Sequence, residues 1–372
     1  MKTILVTGAT GFIGKNLCSQ LELDKEINLL RFDQDNKPAD LHNYLKKADF
    51  IFHLAGVNRP KDEKEFDTGN RGLTENILEY LINNNKKTSI LMTSSIQATL
   101  DNPYGKSKKA AEDAIFKFAK LQKANAYVYR LPNVFGKWCK PNYNSVVATF
   151  CYNISHDLPV TINDPDAEIN LVYIDEIISN FIKAFHDEVK PTDDGYCYIP
   201  RSFKITIKEL KDKIESFRNS RVNLIMPNLE DDFNRFLYAT YISYLEDDNF
   251  GYPLSTNVDD RGWLAEFIKS SQLGQIFISK TKPGITRGNH WHHTKIEKFL
   301  VVDGSAKISF RKIGGPKNVI NYDVSGDKLT VLDIPVGYTH SIKNTGKKDL
   351  ITIFWADEIF NKERPDTYYE EV

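Results

Sequence analysis

Two sets of side chains in this sequence have the types and spacing to do chemistry. The first is three imidazoles and a carboxylate, His290, His292, Glu297 and His340. Together they form a complete ligand shell for a divalent transition metal. His290 and His292 stand two apart, so on a β-strand they face the same side. The second set is Tyr104 and Lys108, four apart and therefore on one face of a helix. A lysine cation beside a phenol is expected to lower the phenol from its ordinary pKa of about 10. Such a tyrosine exchanges a proton with a carbonyl or an alcohol. The two chemistries are unrelated and predict two active sites on one polypeptide.

Composition limits what surrounds these sites. The chain has 372 residues, too many for one small core, and two domains are expected, at 1–250 and 251–372. With 49 Lys and Arg against 50 Asp and Glu, no net field favours nucleic acid or an anionic membrane, and neither is expected as a partner. Cys18, Cys139, Cys151 and Cys197 form no C-x-x-C pair, and reduced thiols are expected. No apolar run is long enough to span a bilayer, and Met1-Lys-Thr-Ile-Leu-Val leads directly to Gly8, so the expected compartment is cytoplasmic.

The elements that must position Tyr104 begin at the first residues. Lys2–Thr7 is an apolar run suited to a central parallel strand. It enters Gly8-Ala-Thr-Gly11-Phe-Ile-Gly14 and then a stretch with helical spacing. A strand, a glycine turn and a helix N-terminus make a pyrophosphate cradle. Further landmarks follow in order: Phe50-Ile-Phe-His53-Leu54-Ala55-Gly56, Ile90-Leu-Met-Thr-Ser94-Ser95, Tyr104-Gly-Lys-Ser-Lys108 and Tyr129-Arg-Leu-Pro-Asn133-Val-Phe-Gly136.

This series resembles the extended short-chain dehydrogenase/reductase superfamily. The resemblance implies a Rossmann-type doubly wound parallel sheet and catalysis by Tyr104 and Lys108 with a serine, either Ser95, which the pattern favours, or Ser94. It also implies cofactor contacts from Gly8, Gly11, Phe12, Ile13, Gly14, Asp40, Leu54, Ala55 and Gly56, and a supporting role for Asn70. At the second strand end Arg31 would pair with a 2′-phosphate and Asp33 with a ribose hydroxyl. Arg31 lies nearer the expected strand end and favours NADPH; Asp33 keeps NAD open. Members of this family mostly handle nucleotide-diphosphate sugars, and Asn133, Lys137, Trp138, Asn144 and Ser145 are the expected substrate contacts.

Apolar groups at 233, 236, 237, 241 and 245 fit one helix stripe, expected to be core or a docking face. From Asp259 onward short β-rich runs alternate with glycine turns, as in a sandwich or jelly roll. The spacings G-x5-H-x-H-x4-E-x6-G from Gly284 to Gly304 and P-x-G-x2-H-x3-N from Pro335 to Asn344 resemble cupins, with Leu329 where that family has a leading glycine. The resemblance implies metal ligation by the four residues already named. Zinc suits the set; iron and manganese remain open. Trp291 should face the other side of its strand, and Lys282, His293 and Tyr338 are candidate bases.

As a whole the chain is similar to bifunctional capsular polysaccharide synthesis enzymes. In that family the cupin domain epimerises C3 of a UDP-4-keto-6-deoxy-N-acetylhexosamine, and the first domain then reduces C4 with NADPH toward UDP-N-acetyl-L-fucosamine. The order is chemical, because reduction removes the ketone that acidifies the neighbouring C–H. The rival reading is an NAD-dependent nucleotide-sugar epimerase or dehydratase whose cupin only dimerises or binds sugar. A homodimer is expected on either reading.

Overall fold

A computed structural model describes residues 1–58, 62 and 66–372. The chain separates into two compact units, Met1–Ile214 with Ala239–Leu245, and Glu215–Tyr238 with Glu246–Val372. The division is not the single cut at residue 250 expected from the sequence. Backbone pairing gives one reason: Lys269 N donates to Leu224 O at 2.8 Å, and Met226 N donates to Lys269 O at 2.8 Å. Residues 224–226 are thereby stitched to the strand Gly262–Ser270.

The first unit is built on a parallel sheet in the order Ile27–Phe32, Lys2–Thr7, Phe50–His53, Ser89–Ser95, Ala126–Leu131, Tyr196–Cys197. Alternate side chains of each strand feed opposite cores. Ile4, Val6 and Phe52 pack with the helices Phe12–Leu21 and Ile174–Phe185. Leu5, Ile51 and Met92 pack with the helices Pro38–Lys47, Leu73–Asn83 and Pro103–Gln122. Burial on both faces explains why these strands read as unbroken apolar runs. The chain passes from Lys2–Thr7 to one neighbour and later returns on its other side. That reversal opens a crevice at the carboxyl ends of the strands, where ligands bind in such sheets.

The second unit is all β apart from its helical segments before residue 239. One antiparallel sheet runs Thr256–Asp259, Gly262–Ser270, Gly274–Thr281, Leu350–Ala356, Glu297–Asp303, Val331–Ile334. The other runs Ile320–Ser325, Ser305–Lys312, Tyr338–Asn344, Thr286–Trp291, Tyr368–Tyr369. Phe299, Val301 and Phe354 from the first sheet share one core with Ile308, Phe310 and Ile342 from the second. The two inner faces therefore pack on each other as a sandwich. Among the described residues no helix is long and apolar enough to cross a membrane.

Candidate functional sites

The glycine turn follows the first strand directly. Gly8 has φ +68, and a Cβ there would lie 2.7 Å from Ala55 N, so this position requires glycine. The close approach brings the turn against Leu54-Ala55-Gly56. Gly11 is the N-cap of the helix Phe12–Leu21, whose first N–H groups have no partner within the helix. Asp33 is tied to the turn, accepting from Thr10 N at 2.8 Å and Thr10 Oγ1 at 2.7 Å. Burial works against its charge, but the Thr10 and Gln34 bonds outweigh it and hold the carboxyl below its ordinary range. Arg31 is ion-paired with Glu22. Asp40 is spent on a capping box, accepting from Lys37 N at 3.0 Å.

The helix Pro103–Gln122 starts at Asn102, whose side chain caps Gly105 N at 2.7 Å. Tyr104 falls in its first turn and Lys108 one turn on. Ser95 stands close enough to the Tyr104 hydroxyl to pull its pKa down, and that hydroxyl donates to Asn58 Oδ1 at 3.2 Å. Lys108 Nζ lies 6.0 Å from the centre of the Tyr104 ring and donates to Thr93 O at 3.4 Å. Burial lowers the lysine to about 8, with Glu112 opposing the shift. The tyrosine is not lowered, contrary to expectation: burial raises it, and the Ser95 bond offsets this only in part. Here desolvation outweighs the neighbouring serine, and the phenol is kept as a proton donor.

Asn70 sits on the wide turn Asp67–Gly72 and is buried. Its amide oxygen accepts from Val57 N at 2.9 Å, and its Nδ2 donates to Val57 O and Ser107 Oγ, each at 3.1 Å. It thereby clamps the loop after Gly56 to the helix Pro103–Gln122.

Ser94 faces the other way. Its hydroxyl donates to Glu112 Oε1 at 2.5 Å. Glu112 is fully buried and held by Arg130 at 2.9 and 2.6 Å and by the Tyr196 hydroxyl at 2.8 Å. Sequence reasoning missed this network and Asn58; the i, i+4 step from Lys108 to Glu112 was the available signal. Replacing Ser95 with Ala should therefore lower kcat for ketone reduction by about 10²-fold. Ser94→Ala should instead cost about 1–3 kcal/mol of stability, leaving turnover nearly intact. Steady-state kinetics and thermal unfolding on both variants check this.

His53 is buried between Thr7 Oγ1 at 2.8 Å and Thr74 Oγ1 at 2.9 Å. Burial, with the Lys108 charge second, lowers it to about 3. The folded value lies below the unfolded one near 6.5, so its contribution is complete above about pH 6.5 and is lost as pH falls toward 3. Thermal unfolding across that window should show stability falling with acid, with a shallower fall in His53→Gln.

The expected substrate residues are brought together only in part. Lys137 Nζ donates to Asp175 Oδ1 at 2.8 Å. Trp138 is 44% exposed with φ +70, flanked by Lys15 and Lys137 at 4.9 and 5.4 Å from its ring. An exposed indole held in a sparsely populated conformation beside two ammonium groups suits a nucleotide diphosphate. Asn133 and Asn144 are exposed. The Ser145 hydroxyl caps the helix Val146–Ser155, accepting from Ala148 N at 3.2 Å.

In the second unit, ligand-type atoms of His290, His292, Glu297 and His340 all lie within 4.8 Å of one another. A bulge between Gly288 and His290 sets the aim of the first. Gly288 has φ +92, and a Cβ there would meet His340 O at 2.7 Å, so only glycine permits it. Trp291 packs with His293 and Tyr368, on the other face of the strand. By alternation Tyr338 shares the face of His340. His292 Nε2 lies 3.1 Å and His340 Nε2 3.4 Å from the same Glu297 oxygen. Burial opposes the Glu297 charge, but those imidazoles hold the carboxyl well below its usual range. Burial, reinforced by His340, lowers His290 to about 4, so it stays neutral. Imidazoles turned on one carboxylate in a buried site fit a shared cation, and the N3O donor set fits zinc.

Fold and sites define a Rossmann-type nucleotide-binding protein carrying a distinct C-terminal all-β unit. Residues 4–194 match the NAD dependent epimerase/dehydratase family, and residues 257–368 match the polysaccharide biosynthesis C-terminal domain. A curated relative from Pseudomonas aeruginosa, UDP-2-acetamido-2,6-beta-L-arabino-hexul-4-ose reductase, is 41% identical over 98% of this chain and 97% of its own. The crystal structure of the capsular polysaccharide assembling protein CapF from Staphylococcus aureus is 48% identical, with TM-score 0.92 over 99% of this chain and 100% of that one. A CapF structure with the inhibitor 3-isopropenyl-tropolone is 43% identical, with TM-score 0.89 over the whole of both chains. The chain belongs to the family of CapF and this reductase.

Proposed function

We propose that this chain is a bifunctional enzyme of nucleotide-sugar metabolism acting on a UDP-4-keto-6-deoxy-N-acetylhexosamine, which it epimerises at C3 and then reduces at C4. The observation that carries the reading is one polypeptide with both a Ser95–Tyr104–Lys108 group beside a glycine turn and a buried three-imidazole, one-carboxylate cluster. Whole-length similarity to CapF and to a hexul-4-ose reductase supports it.

In the first unit, Gly8, Gly11, Gly14 and the amides of Phe12 and Ile13 take the pyrophosphate, with Leu54, Ala55 and Gly56 along the nucleotide. NADPH is the assigned cofactor, Arg31 turning from Glu22 to the 2′-phosphate; when bound it supplies the hydride. Tyr104 donates the proton to the C4 oxygen, Ser95 positions that oxygen, and Lys108 stabilises the phenolate left behind. Trp138, with Lys15 and Lys137, holds the diphosphate end of the substrate.

The second unit is read as a cupin. His290, His292, Glu297 and His340 hold a divalent ion, assigned as zinc, which supplies positive charge for the enolate oxygen. Tyr338 is the favoured base, because it shares the His340 face whereas His293 does not. A homodimer completes the proposal, testable by sedimentation. Reduction of the purified keto sugar should consume NADPH stoichiometrically and in preference to NADH. An enzyme that cycles a bound NAD would show no net consumption, and that result would overturn the reading.

A further inference from the structure

The C-terminal residues grip the metal-ligand segment along its length. The Asp366 backbone carbonyl accepts from His292 Nδ1 at 2.6 Å. Its carboxylate accepts the backbone N–H groups of His293, Thr294 and Lys295 at 2.9, 2.8 and 2.9 Å, and the Thr294 hydroxyl at 3.0 Å. Buried Lys295 donates its ammonium to Pro365 O at 3.0 Å and to Thr367 Oγ1 at 2.8 Å. Glu370 N donates to Asn289 O at 3.0 Å, and Tyr368 and Tyr369 pair in register with Trp291 and His290. Asp366 itself has φ +38, a conformation a non-glycine residue keeps only where its surroundings impose it.

A carbonyl oxygen only accepts. The 2.6 Å contact therefore requires a proton on His292 Nδ1, so that metal ligation falls to Nε2, the nitrogen that faces Glu297 at 3.1 Å. We propose that the segment 365–370, centred on Asp366, is a positioning element of the metal site that fixes the His292 tautomer and ring orientation and thereby sets metal affinity. This rests on the metal reading above. Two effects combine in it: the carbonyl selects the tautomer, and the carboxylate, by gathering three successive amides, fixes the backbone that carries the ring.

The test uses full-length protein and zinc itself. Affinity is measured by chelator competition for wild type, Asp366→Ala and Asp366→Asn, and the His292 tautomer is read by nitrogen NMR on 15N-histidine-labelled apo protein. Asp366→Ala should weaken zinc binding by about 10–100-fold and populate both His292 tautomers. Asp366→Asn keeps an acceptor oxygen for the amides and should recover most of the affinity. Folded Asp366→Ala that binds zinc as tightly as wild type overturns the inference alone. Wild type without zinc affinity sinks the metal reading along with it. If the alanine variant does not fold, the wild-type spectrum decides, since a His292 ring without a proton on Nδ1 contradicts the proposal.

Discussion

Tyr104→Phe is expected to lower kcat for NADPH-dependent ketone reduction by about 10²–10⁴-fold, about 3–5 kcal/mol of barrier. The phenol stands beside both Ser95 and Lys108, and phenylalanine keeps the ring while removing the proton. NADPH affinity should be unchanged, because the glycine turn and the Leu54–Gly56 loop do not depend on the hydroxyl. Single-turnover measurements of nucleotide fluorescence separate the two quantities. The same variant should still exchange the C3 proton with solvent, since that step belongs to the other unit. A variant that lost both activities would place Tyr104 in a structural role.

The second large effect is expected from His290→Ala combined with His340→Ala. Bound metal should disappear, and solvent exchange at C3 should fall by more than the about 10–100-fold that removing outer-shell partners costs. Reduction of an already epimerised ketone should proceed at the wild-type rate. Removal of metal by a chelator should reproduce the loss, and zinc should restore it only where the four ligands are intact. Metal analysis and isotope incorporation by mass spectrometry check the two halves. If stripping metal instead unfolded the all-β unit without separable loss of exchange, the ion would be structural.

Much of this was legible in the sequence because the signals are local. Gly8 to Gly14, the four-residue step from Tyr104 to Lys108 and the two-residue step from His290 to His292 each specify a geometry that one turn or strand enforces. The choice between Ser94 and Ser95 is of another kind. Adjacent strand residues face opposite sides, and which side meets Tyr104 depends on packing; the structure turns Ser94 to Glu112 and Ser95 to Tyr104. Asp366 gave no signal, since nothing near it in sequence marks a residue that folds back on His292. The direction of the Tyr104 shift also escaped, because a four-residue spacing says nothing of the burial that raises the phenol. Ser145 was named for substrate and is found capping a helix, a use of serine that the following apolar run had already advertised.

The central claim is that one ketone is handled twice, first as an acidifying group and then as a hydride acceptor. The most direct measurement incubates the full-length protein with a UDP-4-keto-6-deoxy-N-acetylhexosamine in deuterated buffer, before and after NADPH is added. The account predicts deuterium at C3 without nucleotide, and a C4 alcohol, carrying that label, only once NADPH is present. An alcohol formed without deuterium at C3 would contradict it.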